Sequence, residues 1–261
     1  MAMLDVQSSI EGVKGFKVAG VHCGLKKDGK LDFSLVVSES PCAAAGVFTT
    51  NQVKAAPVLV DMERIANNPS GIRAVSINTR SANACTGQPG IDNALKTAEL
   101  VGQALDFPAE AVLVMSTGVI GMQLPMEKIE RGVELASQSL GDDWDAIAHA
   151  IMTTDTRPKM ASINVETVSG QQFRIAGICK GAGMIAPNMA TMLSVVVTDA
   201  LLTVDEAQSI LSAVADVTYN CIVVDGDTST NDTVLLLANG ASGIGLETEE
   251  DRQNFEIGLS E

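Results

Sequence analysis

The chain has 261 residues, 46% hydrophobic and 19% charged, with 17 basic residues against 32 acidic ones and a formal net charge of −15. No basic stripe is available to neutralise phosphates, which argues against nucleic acid as a partner. No apolar run approaches bilayer length, and Met1–Lys14 lacks the basic-then-apolar order of a secretion signal, so a soluble, cytoplasmic protein without a membrane partner is expected.

The acidity is concentrated late. Nineteen acids and 16 bases precede Thr191, whereas 13 acids and one base, Arg252, lie from Thr191 onward. A chain of this length can bury a large core as one big domain or two small ones. With 3% aromatic residues, that core must be built from Val, Leu, Ile, Ala and Met. Five scattered cysteines form no CxxC and read as reduced, partly buried thiols. Two histidines, His22 and His149, leave little material for a zinc site or a Ser-His-Asp triad. No metal and no cofactor are expected.

In chain order, short β-branched runs predict strands at Phe33–Val37, Ala74–Asn78 and Val112–Ser116. Pro125 can open a helix in which Ile129, Val133, Ala136 and Leu140 share a face, and Gly141 can close it. His149 falls on a short helical stretch with Trp144, Ile147 and Ile151. Strands follow at Ser162–Thr167 and Met192–Thr198. Thr203-Val204-Asp205-Glu206 has capping-box spacing, with Ala207, Ile210, Leu211 and Val214 on one side of the helix it would start. Two more strands are expected at Cys221–Val224 and Thr233–Leu237, and after Gly245 the chain turns acidic with no obvious closing element. This is a mixed α/β chain, and the irregular alternation disfavours a doubly wound nucleotide-binding sheet.

Four segments could carry chemistry. Lys180-Gly-Ala-Gly-Met-Ile-Ala-Pro-Asn-Met-Ala-Thr191 brings small residues up to a hydroxyl residue at the mouth of a buried-looking strand. Pattern alone favours a glycine-rich turn entering a core strand. The functional alternative is that the hydroxyl of Thr191 attacks its own preceding carbonyl. The α-amine so released, with an ordinary pKa of about 7.7–8.0, can then serve as the base for a threonine nucleophile. Val112–Gly121 ends a strand in Ser116-Thr117-Gly118, a place where a hydroxyl and a backbone N–H can be aimed at an oxyanion, although strand-to-glycine turns are common. Thr153-Thr154-Asp155-Thr156 reads as a capped turn. Asp225–Thr233 is rich in oxygen ligands but lacks the spacing of an EF-hand loop.

Taken together and in this order, KGAGMIAPNMATML at 180–193, STGVIG at 116–121, TTDT at 153–156, DGDTSTNDT at 225–233, Ala43–Asn51 and Ser81–Gly87 resemble the bifunctional ornithine acetyltransferase/N-acetylglutamate synthase family of arginine biosynthesis. The resemblance runs from about Gly15 to Gly245. It implies the layered mixed α/β fold that the family shares with self-cleaving aminopeptidases. It also implies a precursor that cuts itself at Ala190–Thr191 into an alpha chain, 1–190, and the start of a beta chain, 191–261, with two of each in a heterotetramer. Thr191 would be the nucleophile, Thr117 and Gly118 the oxyanion hole, and Thr154, Lys180 and Thr191 the substrate contacts. Acetyl would pass in ping-pong fashion from N-acetyl-L-ornithine, through an ester on Thr191, to L-glutamate, and some members also accept acetyl-CoA.

Two departures stand out. Thr79-Arg80-Ser81 replaces the Ser-Gly-Asn expected before Ala-Asn-Ala. The family also continues past Glu261 into a part carrying a DGEG-type glutamate and a substrate-binding segment. A truncated, non-catalytic chain and a self-cleaving aminopeptidase-like hydrolase are therefore the alternative readings.

Overall fold

One strand organises the molecule because it is long enough to serve two sheets. In this computed structural model, which describes residues 5–184 and 192–261, β2 runs from Phe33 to Phe48. Its first part, Phe33–Val37, pairs with β1 (Phe16–Val21) and β3 (Ile72–Asn78), whereas Ala43–Phe48 pairs with β8 (Thr233–Ala238). The register shifts between Val37 and Cys42, and Pro41, which has no N–H to give a ladder, sits in that break. With β4 (Val112–Ser116), β5 (Lys159–Glu166), β6 (Gln172–Lys180) and β7 (Leu193–Thr198), the strands follow the order β4-β3-β2-β8-β7-β6-β5, with β1 also on β2.

The two halves of this sheet face one another. Val36, Val75 and Leu113 from the first half share a core with Ile178, Val195 and Leu235 from the second, closed by Trp144 and Ile147 of α4 (Trp144–Ala150). The outer face of the first half packs on α1 (Ala56–Asn67), α2 (Gly87–Leu105) and α3 (Met126–Gln138), through residues such as Val60, Ala98 and Ile129. The outer face of the second packs on α5 (Val204–Val217) and α6 (Glu249–Ser260) through Ile210, Leu211 and Phe255. β7 and β8 are therefore buried on both faces, which explains their unbroken apolar runs. The result is a layered mixed α/β fold.

Local signals account for the helix ends. Thr203 and Glu206 form the expected capping box of α5, with Asp205 and Glu206 favourably placed in its first turn. Pro125 precedes α3, and Ile129, Val133 and Ala136 form its buried stripe. The late acids do not form a loose tail. Thr248 and Asp251 make a second capping box, and Glu249, Glu250 and Asp251 occupy the first turn of α6. The open edge of β4 is covered from α1, where Asp61 accepts the Val114 N–H at 2.8 Å and Arg64 donates to the Val112 carbonyl.

One expected strand is absent. Cys221–Val224 begins on the last residue of a short 3-10 turn, Tyr219–Cys221, and lies exposed, without a ladder. The ladder sites beside β7 are already taken by β6 and β8, so this β-branched run finds no edge to join among the described residues. No helix among the described residues is long and apolar enough to cross a membrane.

Candidate active site

β6 runs antiparallel to β7 and β7 parallel to β8, and the register aligns Lys180, Leu193 and Thr233 in one row. The last residue of β6 and the first residues of β7 and β8 therefore meet at one end of the sheet. Lys180 and Thr117 are 2% and 5% exposed, and the Lys180 Nζ donates to Thr117 Oγ1 at 3.3 Å. Burial lowers the Lys180 pKa, while the charges of Asp155 and Asp232 pull it back up.

Thr117 sits one residue past the end of β4. Its own N–H continues the parallel ladder, donating to the Asn78 carbonyl at 3.0 Å. The next N–H, that of Gly118, has no acceptor among the described residues. Gly118 has φ +142°, and a Cβ there would run into the carbonyl of Arg80. The two loops interlock at this point, Val119 N–H donating to Arg80 and Ala82 N–H to Val119, each at 3.0 Å. Asn231 holds the same junction from the turn before β8, its Nδ2 donating to the carbonyls of Ser116 at 2.9 Å and Ala82 at 2.6 Å. From β3, the Asn78 Oδ1 accepts the Ser116 hydroxyl at 2.6 Å.

Two carboxylates flank Lys180. Asp155 Oδ1 takes the Gly181 N–H at 2.8 Å and the Lys159 ammonium, and its Oδ2 takes the Thr153 N–H at 3.2 Å. Burial alone would raise its pKa, but Lys159, these N–H groups and Lys180 together hold it below the ordinary carboxylate value. Asp232 immediately precedes β8 and is fully buried. Its Oδ1 accepts the Met192 N–H at 2.9 Å, and its Oδ2 is buried without a partner among the described residues. Burial pushes its pKa up to about 6, against the opposing pull of the Met192 N–H, the Ser229 hydroxyl and the Lys180 charge.

Of the residues singled out from sequence, Thr117, Gly118 and Lys180 come together. Thr154 is exposed and makes no side-chain hydrogen bond among the described residues, although its neighbour Asp155 ties the turn to Gly181. Ala190 and Thr191 lie outside the described residues. Asp155, Asp232, Asn231 and Asn78 were given no role by sequence reasoning. The first three stand inside segments recognised by pattern, yet only the strand order shows what they touch. No group of metal-binding side chains is found among the described residues. A hollow of about 860 Å³, lined by Gly177, Cys179 and Ser194, opens on the face of β6 and β7 opposite the Lys180 side chain.

The family model for ArgJ matches residues 17–261. The chain belongs to the ArgJ family. Among curated relatives, the arginine biosynthesis bifunctional protein ArgJ of Thermotoga neapolitana is 55% identical over 88% of this chain and 57% of its own length. That of Geobacter sulfurreducens is 48% identical over 95% and 63%, and that of Rhodopirellula baltica 50% over 93% and 58%. The chain thus spans between 57% and 63% of the length of these relatives. Among solved structures, ArgJ of Bacillus halodurans superposes with a TM-score of 0.64 at 35% identity, covering 72% of this chain and all of its own. The ornithine acetyltransferase of Mycobacterium tuberculosis, complexed with ornithine, does so with 0.65 at 39%, covering 73% of this chain and all of its own. The resemblance read from the motifs, and the layered α/β fold it implied, are thereby borne out.

Proposed function

We propose that this chain is a cytoplasmic glutamate N-acetyltransferase of arginine biosynthesis, made as a precursor that cuts itself at Ala190–Thr191. It would carry acetyl from N-acetyl-L-ornithine to L-glutamate on the freed threonine. The observation that carries this reading is the Lys180–Thr117 hydrogen bond beside the unused Gly118 N–H, at the end of the sheet where β7 begins. By donating to Thr117 Oγ1, Lys180 occupies a lone pair of that oxygen and leaves the Thr117 O–H free to donate. Thr117 O–H and Gly118 N–H are then two donors for a developing oxyanion, each worth roughly 10²–10³ in rate.

Transfer would begin with Thr191 Oγ attacking the acetyl carbonyl of the donor while the α-amine of Thr191 takes its proton. The C–N bond then breaks, and the departing ornithine amine carries that proton away. The glutamate amine attacks the resulting ester, releasing N-acetylglutamate and restoring the threonine. Lys180 and Thr154 would meet the amino-acid substrate.

The strand pairing fits two pieces that stay together. β6 pairs with β7 from Ile175–Thr198 to Lys180–Leu193, and β2 pairs with β8, so fragments 1–190 and 191–261 would share one sheet and stay bound after the cut. Two of each would form the heterotetramer. The test is mass spectrometry of the full-length protein, expected to give two pieces split at Ala190/Thr191. With N-acetylornithine and no glutamate, an acetyl group should appear on the N-terminal threonine peptide. An uncut chain, or intersecting rather than parallel double-reciprocal lines, would overturn the scheme.

A further inference from the structure

β4 ends the sheet, and side chains make the bonds that a further strand would have made. Arg64 donates to the Val112 carbonyl, Asp61 accepts the Val114 N–H, and Asn231 Nδ2 donates to the Ser116 carbonyl at 2.9 Å. On the opposite side, the Thr117 and Val119 N–H groups donate to the Asn78 and Arg80 carbonyls, each at 3.0 Å. Backbone groups alternate in direction along an extended chain, so the Ser116 carbonyl and the Gly118 N–H both turn away from β3. A parallel neighbour would take both with the N–H and the C=O of one residue. Here only the carbonyl is taken.

We propose that Asn231 is a positioning residue that stands in for that neighbour and keeps the Gly118 N–H open as an oxyanion donor, an inference that rests on the acetyltransferase reading above. Its side-chain amide carries the same donor and acceptor as a backbone residue, but it offers β4 only the donor. Both Nδ2 hydrogens are committed, one to Ser116 and one to the Ala82 carbonyl at 2.6 Å. Oδ1 is committed to the Thr230 hydroxyl, which donates to it at 2.6 Å. Turning the amide over would set Oδ1 against two carbonyl oxygens, so the partners fix its orientation.

Asn231 is itself held. It is buried, its N–H donates to Ser229 Oγ at 3.1 Å, and its carbonyl accepts the Thr233 hydroxyl at 2.9 Å. The Ser116–Thr117 peptide unit is thus gripped on both sides, its carbonyl by Asn231 and its N–H by Asn78. The next N–H along the chain is that of Gly118, and Gly118 is exposed, so a substrate oxygen can reach it. Aspartate at position 231 has the same shape with the opposite effect. It would put an acceptor where Nδ2 stands, repel the Ser116 and Ala82 carbonyls and compete for the Gly118 N–H.

The test reads that N–H directly. Thr-Gly occurs in the sequence only at Thr86–Gly87 and Thr117–Gly118. Cell-free synthesis of the full-length protein with ¹³C in the threonine carbonyls and ¹⁵N in glycine therefore gives two amide signals, the first an internal control. In the wild type the Gly118 amide should exchange with water within roughly tenfold of an unstructured peptide. In Asn231→Asp it should move downfield and exchange more slowly, with the control unmoved. Acetyl transfer, counted per cut molecule, should fall roughly 10²-fold in kcat/KM for N-acetylornithine and for glutamate alike, since an oxyanion forms both when the ester is made and when it is broken. Asn231→Ala, which removes the grip without adding an acceptor, should lose less and show no downfield shift.

A wild-type Gly118 amide protected like a strand amide would overturn the proposal, whether or not the variants fold. So would Asn231→Asp transferring within about threefold of wild type, or a loss confined to one of the two substrates. In either case an active wild type leaves the acetyltransferase reading standing and removes Asn231 alone. A wild type that transfers no acetyl overturns that reading, and the role of Asn231 with it.

Discussion

The Lys180 ammonium and the Thr117 hydroxyl, 3.3 Å apart, come from opposite halves of the bent sheet. Lys180 ends β6 on one side of the central core, and Thr117 follows β4 on the other. Their bond exists only once the two halves have closed over Val36, Leu113, Val195 and Leu235. The pair proposed as oxyanion donors is thus brought to Lys180 only by tertiary assembly.

Lys180→Met should keep the fold but release Thr117 from its fixed orientation. The expected loss in acetyl transfer is roughly 10²–10³-fold, that of one oxyanion donor. It should fall mainly on kcat if Lys180 acts through Thr117, and on KM as well if it also meets the substrate. Unchanged turnover with a native circular-dichroism spectrum would remove Lys180 from the site.

Gly118→Ala tests the other donor. The positive φ strains any side chain, and the added carbon meets the Arg80 backbone, which is held because its carbonyl accepts the Val119 N–H while Ala82 N–H donates to the Val119 carbonyl. The cost should exceed about 1–3 kcal/mol, seen as a lower urea midpoint, and transfer should be lost together with self-cleavage. A stable Gly118→Ala protein with normal turnover would show that neither strain nor oxyanion chemistry resides there.

Asp155→Asn addresses the turn that bears Thr154. The carboxylate pKa is depressed, so its stabilising contribution is present above the unfolded value near 4 and is lost as pH falls through the lower folded value. The variant should be destabilised by about 1–3 kcal/mol at pH 7, with the gap to wild type closing in strong acid. A gap that widens below pH 4 would contradict the charge assignment.

How much of this was legible from sequence depended on whether the signal was local. The α5 capping box, the α3 stripe and five of the seven expected strands have local causes in Thr203–Glu206, Ile129–Val133–Ala136 and β-branched runs, and they appear within a few residues of expectation. The expected Phe33–Val37 is only the opening of a strand that continues to Phe48, because the turn chemistry of Ser40-Pro41 reads as an ending but makes a bulge. β1 and β6 carry glycines and, in β6, Arg174, which hides them from pattern reading. Cys221–Val224 failed for the opposite reason, strand composition without a neighbour. Thr117, Gly118 and Lys180 were visible as motifs. Asp232 was not, because its importance depends on the parallel pairing of β7 and β8, which brings position 232 to 192 across 40 residues.

The same carboxylate makes a stability prediction that is independent of catalysis. Asp232 has its folded pKa raised from 3.8 to about 6 by burial. Between those values the folded chain holds a proton that the unfolded chain has released, so this group makes the protein less stable as pH rises through that window. Above about 6 the full cost of the buried charge is present, on the order of 3 kcal/mol at 1.36 kcal/mol per pK unit. The Lys180 charge already offsets part of the burial cost, and Asp232→Asn forfeits that attraction, so the net gain should be smaller. Asp232→Asn should therefore be more stable than wild type at pH 7, by about 1–2 kcal/mol, with an advantage that shrinks towards pH 4. The comparison is urea unfolding in a Thr191→Ala background, where both proteins are single uncut chains and two-state extrapolation applies to the same covalent species. A variant that is less stable at pH 7, or an advantage that grows as the pH falls, would mean that the Asp232 charge is well paired after all.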